Sequence, residues 1–327
     1  MNQSRRSTDA TLVRRRAFIT AATAMTVERG LAQASAIPII DTHIHFFDTT
    51  RPQGVPYGQG NPVGPIASPA VYRKVAVPLG VVGAIEVEAS PWIEDNLWVL
   101  QASQPDSIMV GFIGNLEPEK PEFHEYLDRY RRNPLFRGIR CGNLWGRSLV
   151  AAVTRPEFIS GIKELAAADL IMDTANPRPD LIEACVRLTD KVPELRVMID
   201  HLPGMQQDAD PAVRRAVESN LRELAKRNVY VKGSVFARRV NGQVQTDAAV
   251  YKAVLDPLWD IFGEDKLVFG SDWPNSTGNW VTYEQTLAII RQYIGTKSRA
   301  AAEKYFWKNS IAAYKWIKRD PSQPQVA

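Results

Sequence analysis

The sequence predicts an α/β fold, a TIM-like (β/α)8 barrel with parallel strands. Short runs rich in Val and Ile alternate with longer segments of helical period, and eight such runs occur. The length of 327 residues also suits one barrel domain, which needs about 250. Near-continuous apolar strands mean a parallel sheet covered on both faces by helices, because a half-exposed sheet would show polar alternation. Eight units in one chain favour closure into a barrel over an open sheet.

In chain order the strands are expected at 37–41, 83–87, 108–113, 136–139, 170–173, 196–200, 229–232 and 266–269. Helical period falls between them, at 95–103, 122–131, 157–167, 180–189, 211–227 and 247–262. Pro156 followed by Glu157 reads as a helix start. Two segments break the rhythm. Residues 46–68 form a 23-residue connection with four Pro and four Gly. That is too long for a barrel turn, and since it leaves the end of the first strand it is expected to wall the site. After Thr282 come two or three helices, with Tyr305, Phe306 and Trp307 as packing anchors against the barrel exterior. No repeat or linker divides 37–327, which reads as a single catalytic domain.

Residues 1–36 read differently. Arg14-Arg15-Arg16 precede an apolar run to Val27, and Ala34-Ser35-Ala36 supplies an A-x-A cleavage pattern. Arg15-Arg16 with Phe18 resembles a twin-arginine signal, so the expectation is an export leader and a periplasmic enzyme. The alternative is a basic tail on a cytoplasmic one. The apolar run, 17–27, is shorter than the roughly 20 residues of a membrane span. The leader also holds the charge. Taking its six Arg and two acidic residues from the chain's 40 basic and 36 acidic ones leaves 34 of each in the remainder. A neutral body has no field to attract nucleic acid or anionic lipid, so neither is an expected partner. Cys141 and Cys185 are too few for a disulfide framework and read as small buried residues.

Chemistry in a barrel of this kind sits at the C-terminal strand ends. Strand one ends in Asp41-Thr-His43-Ile-His45, and alternate residues of a strand share a side, so the two imidazoles can hold one metal ion. Strand two ends in Glu86-Val-Glu88, which makes Glu88 a candidate ligand, and Trp92 a candidate pocket wall. Arg140, Asn143, Arg147 and Arg238 follow strands four and seven. Their guanidinium forks suit an anionic substrate. His201 after strand six and Asp272 after strand eight can converge on the histidine pair. Asp272 would act as metal ligand and general base, and His201 as a stabiliser of the oxyanion. His124, within an outer helix, reads as a surface residue.

Five segments together resemble the amidohydrolase superfamily, in its amidohydrolase-2 branch. They are Asp41-Thr-His-Ile-His45, Phe136-Arg-Gly-Ile-Arg140, Ile199-Asp-His201-Leu-Pro, Tyr230-Val-Lys-Gly-Ser234 and Phe269-Gly-Ser-Asp272-Trp-Pro274. The resemblance implies a barrel fold, water as nucleophile and Asp272 as general base. It points to lactonases, among them types acting on sulfomuconolactone, pyrone dicarboxylate and sugar-acid lactones. The family's frequent strand-five His is missing, since that end reads Asp173-Thr-Ala-Asn-Pro. Either Glu88 supplies the missing ligand to one divalent ion, by preference zinc, or the enzyme works without metal. The expected activity is therefore hydrolysis of a carboxylated or sulfonated lactone. A metal-independent dicarboxylate or sugar-acid lactonase, a metal-dependent decarboxylase or hydratase, and a periplasmic binding protein for an anion are the alternatives.

Overall fold

Eight parallel strands carry the fold: β1 (Ile39–Ile44), β2 (Val81–Val87), β3 (Met109–Gly114), β4 (Phe136–Arg140), β5 (Ile171–Asp173), β6 (Arg196–Ile199), β7 (Val229–Lys232) and β8 (Leu267–Val268). The computed structural model describes residues 36–205, 208 and 210–325, and the barrel unit begins at Pro38. The expected leader lies outside the described residues, apart from Ala36. Sheet order equals chain order, so each connection crosses to the neighbouring strand. The ends meet where Thr42 N donates to Phe269 O (3.1 Å), Asp272 N to His43 O (2.8 Å) and His45 N to Trp273 O (2.7 Å). These bonds close the barrel and bring the two chemically richest segments side by side. They also explain why β8 is shorter than expected, because Phe269–Asp272 bonds to β1 in an irregular geometry.

The helices are α1 (Pro69–Ala76), α2 (Asp95–Ser103), α3 (Phe123–Tyr130), α4 (Pro156–Ala167), α5 (Pro179–Lys191), α6 (Pro211–Leu224), α7 (Lys252–Phe262) and α8 (Tyr283–Ile294). Helices α1, α4, α5 and α6 start on Pro, whose missing N–H needs no partner in a first turn. A capping box between Thr282 and Gln285 starts α8. Helix α1, at the end of the long connection, goes beyond the sequence expectation; it is short, and the Ser68 side chain makes no cap bond. Beyond α8, Arg299–Glu303, a π-helical turn at Lys304–Lys308 and Asn309–Tyr314 bury Tyr305, Phe306 and Trp307 as expected, with Phe306 6.0 Å from the Phe269 ring.

All six residues of β1 are buried, Asp41, Thr42 and His43 included. A buried carboxylate needs partners. Asp41 accepts from Ser271 N (2.9 Å), His43 N (3.2 Å), Tyr72 OH (2.9 Å) and Tyr283 OH (2.8 Å). One side chain thus pins β1, α1, α8 and the segment leading to Asp272. The connection 46–68 folds back through an antiparallel pair, Phe47–Asp48 with Ile66–Ala67. An Arg51–Asp95 ion pair (2.6 Å) and the Asn61 amide on Pro274 O (3.2 Å) hold it down. Both cysteines are buried and free.

Candidate active site

The strand ends converge as the sequence suggested for β1, β6 and β8. His43 Nε2 lies 3.1 Å from His45 Nε2 and 3.6 Å from Asp272 Oδ1, and His45 Nε2 lies 3.2 Å from the same oxygen. His201 Nε2 approaches that oxygen at 3.7 Å. Both His201 and Asp272 adopt left-handed backbone conformations, φ 54 and 58, which aim the side chains inward where an extended strand would not. Behind the imidazoles, His45 Nδ1–H donates to Val87 O (2.7 Å), and His201 Nδ1 meets Ser234 Oγ (2.8 Å).

Beneath this layer lies a charged floor. The Lys232 ammonium, fully buried, donates to Asp173 (2.6 Å) and to His43 Nδ1 (3.0 Å) and pairs with the Asp200 charge at 2.9 Å. Arg140 Nε holds the other Asp200 oxygen at 3.1 Å, and Tyr314 OH donates to Asp173 at 2.9 Å. Lys232 was quoted in a motif but given no role; its signal was a lone lysine at the end of a barrel strand. Asp173 occupies the place where a histidine was sought.

Burial governs the protonation of these groups. It pushes His201 down to about 4, against the pull of Asp272 and Asp200, and His43 well below the ordinary imidazole range, with Lys232 adding to the effect. Burial also raises Asp173 to about 7 despite Lys232. Asp272 goes the other way. Burial opposes its charge, but the surrounding imidazoles, His201 foremost, outweigh it and hold the carboxyl below the usual range.

Above the floor opens a cavity of about 770 Å³, lined by His45, Glu88, Arg140, His201 and Asp272, with the rings of Tyr57, Trp145 and Trp280. The size suits a small ligand. Arg140 is the one guanidinium of the expected three that reaches it. Arg147 turns away because Trp145 and Gly146 take successive left-handed conformations; its Nη1 bonds Asn115 Oδ1 at 2.7 Å, beside a different cavity. Arg238 stands exposed on the rim of a groove beside α6 and α7. Trp92 faces a small neighbouring pocket, and Trp145 and Trp280 supply the indoles instead. Asn143 is absent from the lining, but its carbonyl holds the Asn176 amide (2.8 Å), and Asn176 lines the cavity. His124 is on the surface, bonded to Glu164.

The donor set has the spacing of a divalent-ion site. A tetrahedral shell with metal–nitrogen distances of about 2.0–2.1 Å has edges of about 3.3 Å. The triangle of His43, His45 and Asp272 has edges of 3.1, 3.2 and 3.6 Å. His43, His201 and Asp272 also place ligand atoms within 4.8 Å of one another. The positions therefore fit. His45 already turns an unprotonated Nε2 inward, whereas His43, accepting from Lys232 at Nδ1, carries its proton on Nε2 and must release it to bind an ion. Glu88, the further donor that the sequence offers, has one of its two oxygens engaged elsewhere. Its Oε2 accepts from the Trp145 indole and Ser90 N, both at 3.1 Å, while His201 groups with His43 and Asp272 as a potential ligand.

Known proteins resemble this chain along most of its length. L-fucono-1,5-lactonase of Burkholderia ambifaria is 26% identical over 284 residues, 80% of this chain and 91% of that one. A zinc-bound amidohydrolase of Burkholderia multivorans superposes with a TM-score of 0.73 at 20% identity, over 86% of this chain and all of that one. A probable 2-pyrone-4,6-dicarboxylic acid hydrolase of Acinetobacter baumannii, with citric acid bound, gives 0.65 at 19% identity, over 85% and 99%. The family model for amidohydrolases, Amidohydro_2, matches residues 40–316, and the chain belongs to that family.

Proposed function

We propose that the protein hydrolyses a small lactone, and that the lactone is a hydroxylated ring of the sugar-acid kind. The observation that carries hydrolysis is Asp272. Its Oδ1 faces the cavity among three imidazoles at 3.2, 3.6 and 3.7 Å, while Asp173 and Asp200 are held on cations. Asp272 takes a proton from water as it attacks the ring carbonyl, and returns it to the alkoxide when the ring opens. In this mechanism the Ser234 hydroxyl serves as donor to His201 Nδ1, which places the His201 proton on Nε2, where it stabilises the oxyanion. A divalent ion, by the nitrogen-rich donors zinc, would be held by His43, His45 and Asp272 and would supply Lewis acidity at the carbonyl.

The preference for hydroxyls over several anionic groups follows from the cavity. With Arg147 and Arg238 elsewhere, Arg140 already on Asp200, and Arg178 paired with Asp180 at 2.6 Å, few cations are left for a multiply charged ligand. Indole rings at Trp145 and Trp280 suit the apolar face of a sugar ring. The B. ambifaria relative, named for a sugar-acid lactone, supports the same choice. A carboxylated or sulfonated lactone is the second reading, favoured by Arg140 alone. The test is a pH-indicator screen of sugar-acid, carboxylated and sulfonated lactones with wild type and Asp272→Asn. The expectation is turnover of the first group and a loss of about 10²–10⁴-fold in the variant. Near-wild-type turnover by Asp272→Asn refutes the mechanism. Export to the periplasm belongs to the proposal too, and replacing Arg15 and Arg16 by Lys should retain the protein in the cytoplasm on fractionation.

A further inference from the structure

The long connection after β1 brings one more polar group to the cavity. Tyr57 lines it, with its ring 5.7 Å from that of His45 and edge-on to it. Its hydroxyl is buried and has no hydrogen-bond partner among the described residues. Such an orphan costs roughly 1–3 kcal/mol, and a wall that served packing alone would be better made of Phe. The ring is also firmly held. Phe47 packs edge-on at 5.6 Å, and Gly58, at φ +95, passes so close that a Cβ there would lie 2.5 Å from the Phe47 ring. The Asn61 contact with Pro274 O ties the same loop to the segment just after Asp272. Burial and the nearby Asp272 charge both keep the phenol protonated, so it offers a hydrogen to whatever oxygen enters.

We infer that Tyr57 is a substrate-contacting residue, whose hydroxyl donates a hydrogen bond to an oxygen of the lactone held over Asp272. The inference rests on the lactonase reading for its ligand. On binding, the substrate oxygen supplies the missing acceptor, so the orphan's penalty in the free protein becomes selectivity for rings with an oxygen at that position.

The test uses L-fucono-1,5-lactone with the full chain. Catalysis is measured on wild type and Tyr57→Phe. Affinity is measured by calorimetry on Asp272→Asn and on Asp272→Asn/Tyr57→Phe. The expected result is a fall in kcat/KM or a rise in Kd of about 10-fold, with the Tm of Tyr57→Phe equal to or above wild type. The thermal readout separates this role from a structural one, in which losing the hydroxyl would lower Tm. Gly58→Ala, whose Cβ presses on the Phe47 ring packed against Tyr57 while the hydroxyl is kept, should show a comparable loss. If wild type binds the lactone without opening it, the hydrolase reading fails while the affinity arm still judges Tyr57. Equal affinities together with equal kcat/KM, or no measurable binding of the lactone, overturn the inference.

Discussion

Replacing Lys232 by Met removes the only ammonium of the charged floor and keeps an apolar stem of similar length. Deleting one partner of a buried ion pair costs about 3–5 kcal/mol. Two features bring the expected loss to the lower end, about 3 kcal/mol at pH 7. Arg140 stays on Asp200 at 3.1 Å, and Asp173, raised to about 7, can keep a proton where its charge would be unpaired. The sign of the pH dependence follows. The folded value of Asp173 stands above its ordinary 3.8, so between these values the folded state holds a proton that the unfolded state has released. In wild type this group's contribution to stability therefore falls as pH rises from about 4 to about 7, and then levels off. Without Lys232 the folded value moves higher still, the fall continues past pH 7, and the gap to wild type widens by up to about 1.4 kcal/mol by pH 8. Urea unfolding at pH 6, 7 and 8 reads both numbers. A loss below about 1 kcal/mol at pH 7, or a gap that narrows as pH rises, refutes the assignment.

Three further outcomes are expected. With zinc kept in saturating excess, the pH profile of kcat/KM should stay level from about pH 8 down to about 5 and fall as His201 gains a proton near 4, since Asp272 remains ionised below that; an acid limb near 6.5 in stopped-flow assays would contradict the buried, neutral ring. Zinc uptake should reach one ion per chain by elemental analysis and release the His43 proton, so that calorimetric affinity drops about tenfold per pH unit lowered, and chelation should lower turnover; uptake without proton release would exclude the Lys232–His43 arrangement. Gly138→Ala in β4 would set a Cβ 2.1 Å from the Ile171 carbonyl oxygen, and since backbone on both sides cannot yield, a loss of about 3 kcal/mol or no soluble protein is expected on thermal melting.

Strand identity was legible because burial on both faces forces apolar runs, and all eight lie where those runs are. His43, His45, His201 and Asp272 were legible for a related reason, since a strand end in a barrel points at one place and few histidines compete for it. Loops gave less. Whether Arg147 or Trp145 faces the cavity depends on left-handed φ values of 57 at Trp145 and 76 at Gly146, and only the Gly advertises such a turn. Glu88 has the right parity for a ligand, but parity does not reveal that an indole from the loop after β4 engages one of its oxygens. Lys232 was hidden by its own rarity. A buried lysine is an exception to composition rules, and only its partners, on β5 and just after β6, explain it.

The same floor decides which carboxylate can act as base. Five acidic side chains, Asp173, Asp200, Asp272, Glu86 and Glu88, are buried at or under the cavity. Asp173 and Asp200 are fixed on Lys232 and Arg140, so a proton gained by either breaks an ion pair in a medium that solvates neither partner. Burial pushes Glu86 and Glu88 upward, and one oxygen of each is already engaged, accepting from Phe46 N and from the Trp145 indole. Asp272 differs from all four, being ionised, on the cavity wall and flanked by imidazoles. The fixed charges below thus leave one carboxylate of the five able to accept the proton and give it back.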